Sequence, residues 1–170
     1  MNWNLIIGNA FSLFAMISDS ISSSRKTSRG VLGFQTMSQV FFGTGTFILG
    51  GYSGAVQNCV SVLRNLAAIF KLNFKLLEWL LIGFGVGFGI YFNNLGVIGW
   101  LPILANLEYA LAVYFFKEEP HSLKIAFLIN IALFAVFNTV ILNLVGVIAN
   151  IVVFVITAVF LVRERKGRKE

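Results

Sequence analysis

Seven apolar runs follow one another almost without interruption, at about residues 3–19, 33–50, 54–71, 76–93, 96–116, 123–142 and 144–162. Each is near the roughly 17 to 25 residues that carry a helix across about 30 Å of hydrocarbon. A chain that enters lipid must satisfy its own backbone hydrogen bonds, and long runs without period-two alternation do so as helices. The composition agrees: 58% of residues are hydrophobic and only 12% are charged, against about 25% charged in soluble domains. The expected fold is all-α, a polytopic membrane protein of seven transmembrane helices in a single domain over 1–170. The opening stretch 1-MNWNLIIGNAFSLFAMISDS-20 carries no basic residue ahead of its apolar run and no small-x-small cleavage pattern after it. It reads as a first helix, not a removable signal.

The breaks between runs alternate in character. Three are nearly uncharged, 50-GGYSG-54, 93-NNLG-96 and 142-LNLV-145; three are charged, 23-SSRKTSRG-30, 71-KLNFKLLE-78 and 117-KEEPHSLK-124. With seven crossings, Arg25, Lys26, Arg29, Lys71, Lys75, Lys117, Lys124 and the tail bases Arg163, Arg165, Lys166, Arg168 and Lys169 all fall on one side, which is every base of the 13 except Arg64. The positive-inside rule then puts the N-terminus outside and the C-terminus in the cytoplasm. A net charge of +6 that is confined to loops in this way is a topology signal, and no nucleic acid is expected as a partner. The single cysteine, Cys59, excludes an intrachain disulfide and is expected to be a small buried hydrophobe.

A shift of 92 residues superimposes the two halves of the chain: Arg25 falls on Lys117, Gly51 on Asn143, Gly54 on Gly146 and Asn58 on Asn150. Both third helices therefore open with G-x-x-x-N, as 54-GAVQN-58 and 146-GVIAN-150. The expected organisation is 3+1+3: a first three-helix unit over 1–72, a linker helix over 73–95, a second three-helix unit over 96–163 and a basic cytoplasmic tail over 164–170. An odd linker makes the two bundles parallel, related by an axis along the membrane normal, an arrangement met among transporters.

Polar groups inside hydrocarbon are costly, so their positions carry the functional information. Arg64 and Glu108 lie seven and nine residues from the cytoplasmic Lys71 and Lys117, at similar depths of about 10 to 14 Å. They read as an ion pair that gates a polar cavity, or equally as a structural pair or an arginine that snorkels. The amides Asn58, Asn106, Asn138, Asn150 and Gln35 are candidate substrate contacts, suited to a neutral solute rich in hydroxyl or amide groups, with interhelical hydrogen bonding as the plainer role. Within this set, the repeat-related Asn58 and Asn150 would face each other across the axis. Pro102, in 100-WLPILANLEY-109, is expected to interrupt the fifth helix and to act as a hinge. The glycines of 83-GFGVGFG-89 favour close helix packing. A lone His121 beside Pro120, with no Cys/His cluster, points to no metal, no cofactor and no enzyme.

The third helix 54-GAVQNCVSVLRNL-66, the 101-LPILAN-106 start of the fifth, the sixth helix with Asn138 near its end, and 146-GVIANIVVF-154 followed by a basic tail resemble the bacterial inner membrane protein YgjV family over nearly the whole chain. More distantly the layout is similar to PnuC vitamin transporters and SWEET sugar facilitators, which share a parallel three-helix repeat. Ala135, Val136 and Phe137 stand where PnuC-like proteins tend to carry a tryptophan, so no PnuC substrate is carried over. The resemblance implies a multi-pass protein of the bacterial cytoplasmic (inner) membrane that transports or facilitates passage of a small, largely neutral polar solute, by alternating access between two three-helix repeats. The rival reading is a non-transporting integral membrane subunit with a structural or assembly role. The expected partners are the lipid bilayer and a small-molecule solute, and a homo-oligomer is compatible with either reading.

Overall fold

In the computed structural model, residues 2–23, 25, 27–72, 75–116 and 120–167 are described. They form seven helices: α1 Trp3–Ser23, α2 Ser28–Ile48, α3 Tyr52–Ile69, α4 Lys75–Tyr91, α5 Trp100–Phe115, α6 Pro120–Val140 and α7 Leu144–Gly167. No strand occurs among the described residues. Every apolar run has become one helix. α2 starts ahead of its run because the Thr27 hydroxyl accepts from the Gly30 N–H at 3.2 Å, an N-cap that draws the polar Ser28 and Arg29 into the first turn. α7 continues through Gly167, so 163–167 is helix and not a separate tail. Lys26, Lys117 and 168–170 lie outside the described residues.

The fifth helix corrects an expectation. Residues 96–99 form a turn, with Gly96 at φ +55°, and α5 opens at Trp100, so Pro102 lies in its first turn, buried. An N–H there has no intrahelical acceptor to lose. Pro102 therefore does not interrupt the helix and makes no hinge; it helps to start α5.

In each triplet the middle helix packs on both flanking helices, α2 on α1 and α3, and α6 on α5 and α7. α1 meets α7, α3 meets α5, and α4 lies against both α3 and α5. The buried side chains are mostly small: Ala15, Ala105, Ala112, Ala126 and the serines Ser12, Ser18, Ser38, Ser53 and Ser61. Small residues let helices approach closely where lipid supplies no hydrophobic drive for association. One large side chain, Phe137, is wholly buried; it fills the notch left by Gly51 and Gly54, where a Cβ would stand 2.8 Å and 2.5 Å from its ring.

The large apolar side chains face outward. On α7 alone, Ile148, Ile151, Val152, Val155, Ile156, Val159 and Val162 are all exposed. A surface of this size and continuity demands an apolar surrounding. Cys59 is exposed as well, against the expectation of burial, because it lies on the outer face of α3. Two helices, over Trp3–Ser22 and His121–Val140, are long and apolar enough to cross a membrane by themselves, while Trp100–Phe115 and Leu144–Val159 are apolar but shorter.

The turns after α2 and α6 share one hydrogen-bond pattern. Its first three bonds recur at the end of α3, where Phe70, Lys71 and Leu72 donate to Leu66, Ala68 and Ala67 with Lys71 at φ +59°. At the end of α2, Leu49, Gly50 and Gly51 donate to the carbonyls of Gly45, Phe47 and Thr46, and Ala55 donates to Gly51. At the end of α6, Ile141, Leu142 and Asn143 donate to Phe137, Thr139 and Asn138, and Val147 donates to Asn143. Each bond is carried onto its counterpart by the 92-residue shift. Both are Schellman closures, which need a left-handed residue just past the helix. Gly50 (φ +81°) fills that place in the first turn and Leu142 (φ +58°) in the second. A Cβ in this conformation costs about 1 to 2 kcal/mol, and Leu142 is half exposed, so its side chain recovers little of that by packing. Leu142→Gly is expected to raise the thermal unfolding midpoint of the detergent-solubilised protein, by about 1 kcal/mol of stability; a lowered midpoint would contradict the turn geometry.

Candidate functional site

Along α3, Gln57, Val60, Ser61, Arg64 and Ala68 recur at helical spacing and share one face. That face lines a cavity of about 1360 Å³. Its lining reaches Leu72 and Lys75, at the end of the bundle with the basic loops. It runs inward along α3 to Gln57, about 22 Å at 1.5 Å per residue. Asp19 and Ser22 of α1, Gln35 and Gln39 of α2, Lys75, Glu78 and Trp79 of α4, and Asn106, Tyr109 and Tyr114 of α5 complete its walls.

The floor is an amide junction. Gln57, 2% exposed, donates from Nε2 to the Gly85 carbonyl at 2.8 Å. Asn106 Nδ2 donates to Gln57 Oε1 at 3.1 Å and to the Gln57 carbonyl at 3.3 Å. These bonds join α3, α4 and α5. The α4 glycines divide accordingly: Gly85 and Gly89 are buried on this side, and a Cβ on Gly89 would come within 2.7 Å of Gln57 Nε2 and 2.8 Å of Ile103, whereas Gly83 and Gly87 meet nothing. Only the alternate glycines of 83-GFGVGFG-89 permit the close approach.

The structure separates the expected site residues. Gln35, Asn106 and Arg64 line the cavity. Asn58 does not; one residue on from Gln57, it is turned by about 100°, donates back to the Gly54 carbonyl at 3.1 Å and packs on Gly43 of α2. Asn138 Oδ1 accepts from Asn143 Nδ2 at 3.3 Å, and Asn143 Oδ1 in turn caps α7 by accepting from the Gly146 N–H at 3.0 Å, a structural use of both amides. Asn150 is half-buried with its Nδ2 unpartnered and lies off the cavity. The facing of Asn58 and Asn150 across an axis is therefore not the site.

The expected Arg64–Glu108 pair is also absent. Arg64 opens onto the cavity, where its one hydrogen bond is a long one from Nη2 to Ser61 Oγ, 3.5 Å. Glu108 points into a separate apolar groove lined by Leu104, Leu107, Leu111, Phe115, Phe116 and Leu133, with Oε2 buried and unpartnered. The amide junction sets Asn106 level with Gln57, so residue 108 falls about five residues, roughly 7 Å, short of the level of Arg64. On α5 the cavity face belongs to Asn106, Tyr109 and Val113, and residue 108 points to the other side of the helix. A double-mutant cycle of Arg64→Gln and Glu108→Gln is expected to be additive in unfolding free energy to within about 0.5 kcal/mol; a coupling above about 1 kcal/mol would restore the pair.

Two features went unread in the sequence. Asp19, the one acidic residue before Glu78, lines the same cavity as Arg64. It approaches Ser38, but Ser38 Oγ is buried without a hydrogen bond of full geometry. At the far end of the bundle, the carbonyls of both left-handed turn residues are held by asparagines from the opposite triplet or its leader. Asn94 Nδ2 donates to Gly50 O at 2.8 Å; Asn9 Nδ2 donates to Leu142 O at 2.9 Å, and Asn9 Oδ1 accepts from the Val145 N–H at 3.1 Å. These bonds tie the bundle together at the uncharged end, away from Leu72 and Lys75 of the cavity lining. Among the described residues, no group of three or more His, Cys, Asp or Glu is placed to hold a metal.

Comparison with curated proteins and with solved structures gives no match. Residues 6–168 match the family model Imp-YgjV, bacterial inner membrane protein. That match covers nearly the whole chain, including the cavity-lining faces of all seven helices: the chain belongs to the Imp-YgjV family of bacterial inner membrane proteins.

Proposed function

We propose that the protein is a seven-span transporter or facilitator for a small polar solute, built as two parallel three-helix units joined by α4, with the N-terminus outside and the cavity open to the cytoplasm. The observation that carries this reading is the cavity itself, into which Gln35, Gln39, Gln57, Arg64 and Asn106 project among apolar side chains, between the basic end and the Gln57–Asn106–Gly85 junction. Polar side chains inside a membrane bundle face the interior or a water-filled path, and here they converge on one.

The packing supports the two-unit arrangement. Exchanging α1 with α5, α2 with α6 and α3 with α7 turns α1·α2 into α5·α6, α2·α3 into α6·α7 and α1·α7 into α3·α5, and each of these contacts exists. The turns after α2 and α6 repeat bond for bond. Helices below the usual hydropathy of a span, α2 and α3 among them, are those that give glutamine, serine and arginine to the cavity, where water and not lipid is their neighbour. In the conformation seen, the solute enters from the cytoplasmic side. Passage requires the opposite state, in which the Asn9 and Asn94 clasps release as one unit rocks on the other and the cytoplasmic mouth closes.

The test is uptake into proteoliposomes of the purified protein, with a panel of amino acids, nucleosides, sugars and vitamins. Saturable flux of one class is expected, reduced at least tenfold by Gln57→Ala with Asn106→Ala in protein that remains monodisperse. No saturable flux for any solute, together with a stoichiometric copurifying partner, would replace this reading with that of a structural or assembly subunit.

A further inference from the structure

Arg64 and Asp19 project into one cavity from different helices, α3 and α1. Among the described residues, neither forms an ion pair within 4.0 Å, and the Arg64 guanidinium makes one hydrogen bond, the long contact to Ser61 Oγ. This is unlike a structural use of charge. Ionisable groups in membrane bundles are expensive, and where they serve only the fold they pair with one another or with the backbone. Two opposite charges that line one cavity without meeting leave capacity unmet: most of the five N–H donors of the arginine's planar fork, and the acceptor sites of the aspartate beyond its Ser38 neighbour.

We infer that the solute of this cavity is a zwitterion, a small molecule with a carboxylate for Arg64 and an ammonium group for Asp19; this rests on the reading of the cavity as a solute site. A simple anion would be repelled by Asp19 and a simple cation by Arg64. An uncharged sugar or nucleoside would leave both charges uncompensated. Among the described residues, the other charged side chains on the wall are Lys75 and Glu78, of opposite sign. The floor is already spoken for, since Gln57 spends its amide on Gly85 and Asn106. Gln39 and Gln35 of α2, one turn apart on the wall, supply amides for the polar part of the solute between the two charges. Trp79 and Tyr114, in edge contact at 5.4 Å between ring centres, offer an apolar platform nearer the mouth for a side group. Arginine's planar fork recognises a carboxylate through two parallel hydrogen bonds, which fixes orientation as well as sign.

The experiment is calorimetric titration of the full-length protein in lipid nanodiscs. The probes are leucine, phenylalanine and a series of straight-chain ω-amino acids of increasing length, with glucose and uridine as uncharged controls. The length that binds best reads the separation of the two charges. Saturable binding of at least one zwitterion is expected. It should weaken about tenfold or more when its amine is acetylated, and again when its carboxylate is instead converted to the amide. Arg64→Gln should abolish the preference over the carboxamide form while retaining the preference over the acetylated form, and Asp19→Asn should do the reverse. Binding that ignores both blocking groups, equal binding of glucose or uridine, or no binding of any zwitterion would overturn the inference. The blocked ligands make this test on the unaltered protein, so it stands even where a variant fails to fold. Uptake of the same probes separates the two readings: selective zwitterion binding without flux upholds the charge assignment and removes transport, while saturable flux of a neutral solute without zwitterion binding does the opposite.

Discussion

Gln57 is where the interior of this protein is decided. Its side chain is buried, and a buried amide without partners in a membrane interior would cost several kcal/mol. Its needs are met by the Gly85 carbonyl on one side and by Asn106 on the other. For those partners to be within reach, α4 must come so close that a Cβ on Gly89 would clash with Gln57 and Ile103 and one on Gly85 would be tight against Gln57, and α5 must present Asn106 to α3. Once these three helices are tied, the face of α3 that continues toward the basic end, through Ser61 and Arg64, has no helix directly against it. The cavity is the space left by that arrangement.

The two ends of the bundle contrast for a related reason. At the uncharged end, each triplet turns back through a Schellman closure, and the exposed carbonyl of its left-handed residue is a strong acceptor with no partner in its own helix. Asn94 and Asn9 supply those partners from elsewhere in the chain, while Phe137 fills the glycine notch between α6 and α3. At the other end, Asp19, Arg64, Lys75 and Glu78 share the cavity wall. An end closed by a few hydrogen bonds to turn carbonyls is suited to opening, because each bond contributes only on the order of 1 kcal/mol net.

How far the sequence could be read divides along the helix axis and around it. The number, order and approximate length of the helices follow from runs such as 123–142, since length and hydropathy are one-dimensional properties. Depth counted from the flanking lysines is only approximate: with Asn106 level with Gln57, Glu108 stops about a turn and a half short of Arg64. Rotation is less legible still. A membrane helix is apolar on its outer face and filled with small residues on its inner one, so a single sequence shows little of which way a given amide points. Asn58 was favoured over Gln57 because the repeat retains it, yet it turns to α2 while its neighbour forms the floor. Pro102 illustrates a boundary effect: a shift of a few residues in the start of α5 changes a helix breaker into a helix starter. Asp19 was overlooked because it stands at the end of its run, where a charge ordinarily marks the interface.

The proposed transporter requires that the cavity hold water, communicate with the cytoplasm and be closed from outside by the asparagine clasps. The most direct measurement is labelling of Gln35→Cys, in a Cys59→Ser background, by a membrane-impermeant thiol reagent in oriented vesicles. The account predicts rapid labelling from the cytoplasmic face and slow labelling from the external face, with external labelling accelerated when Asn9→Ala and Asn94→Ala are added. A cysteine at position 35 that is unreactive from both faces, or reacts faster from outside with the clasps intact, would contradict it.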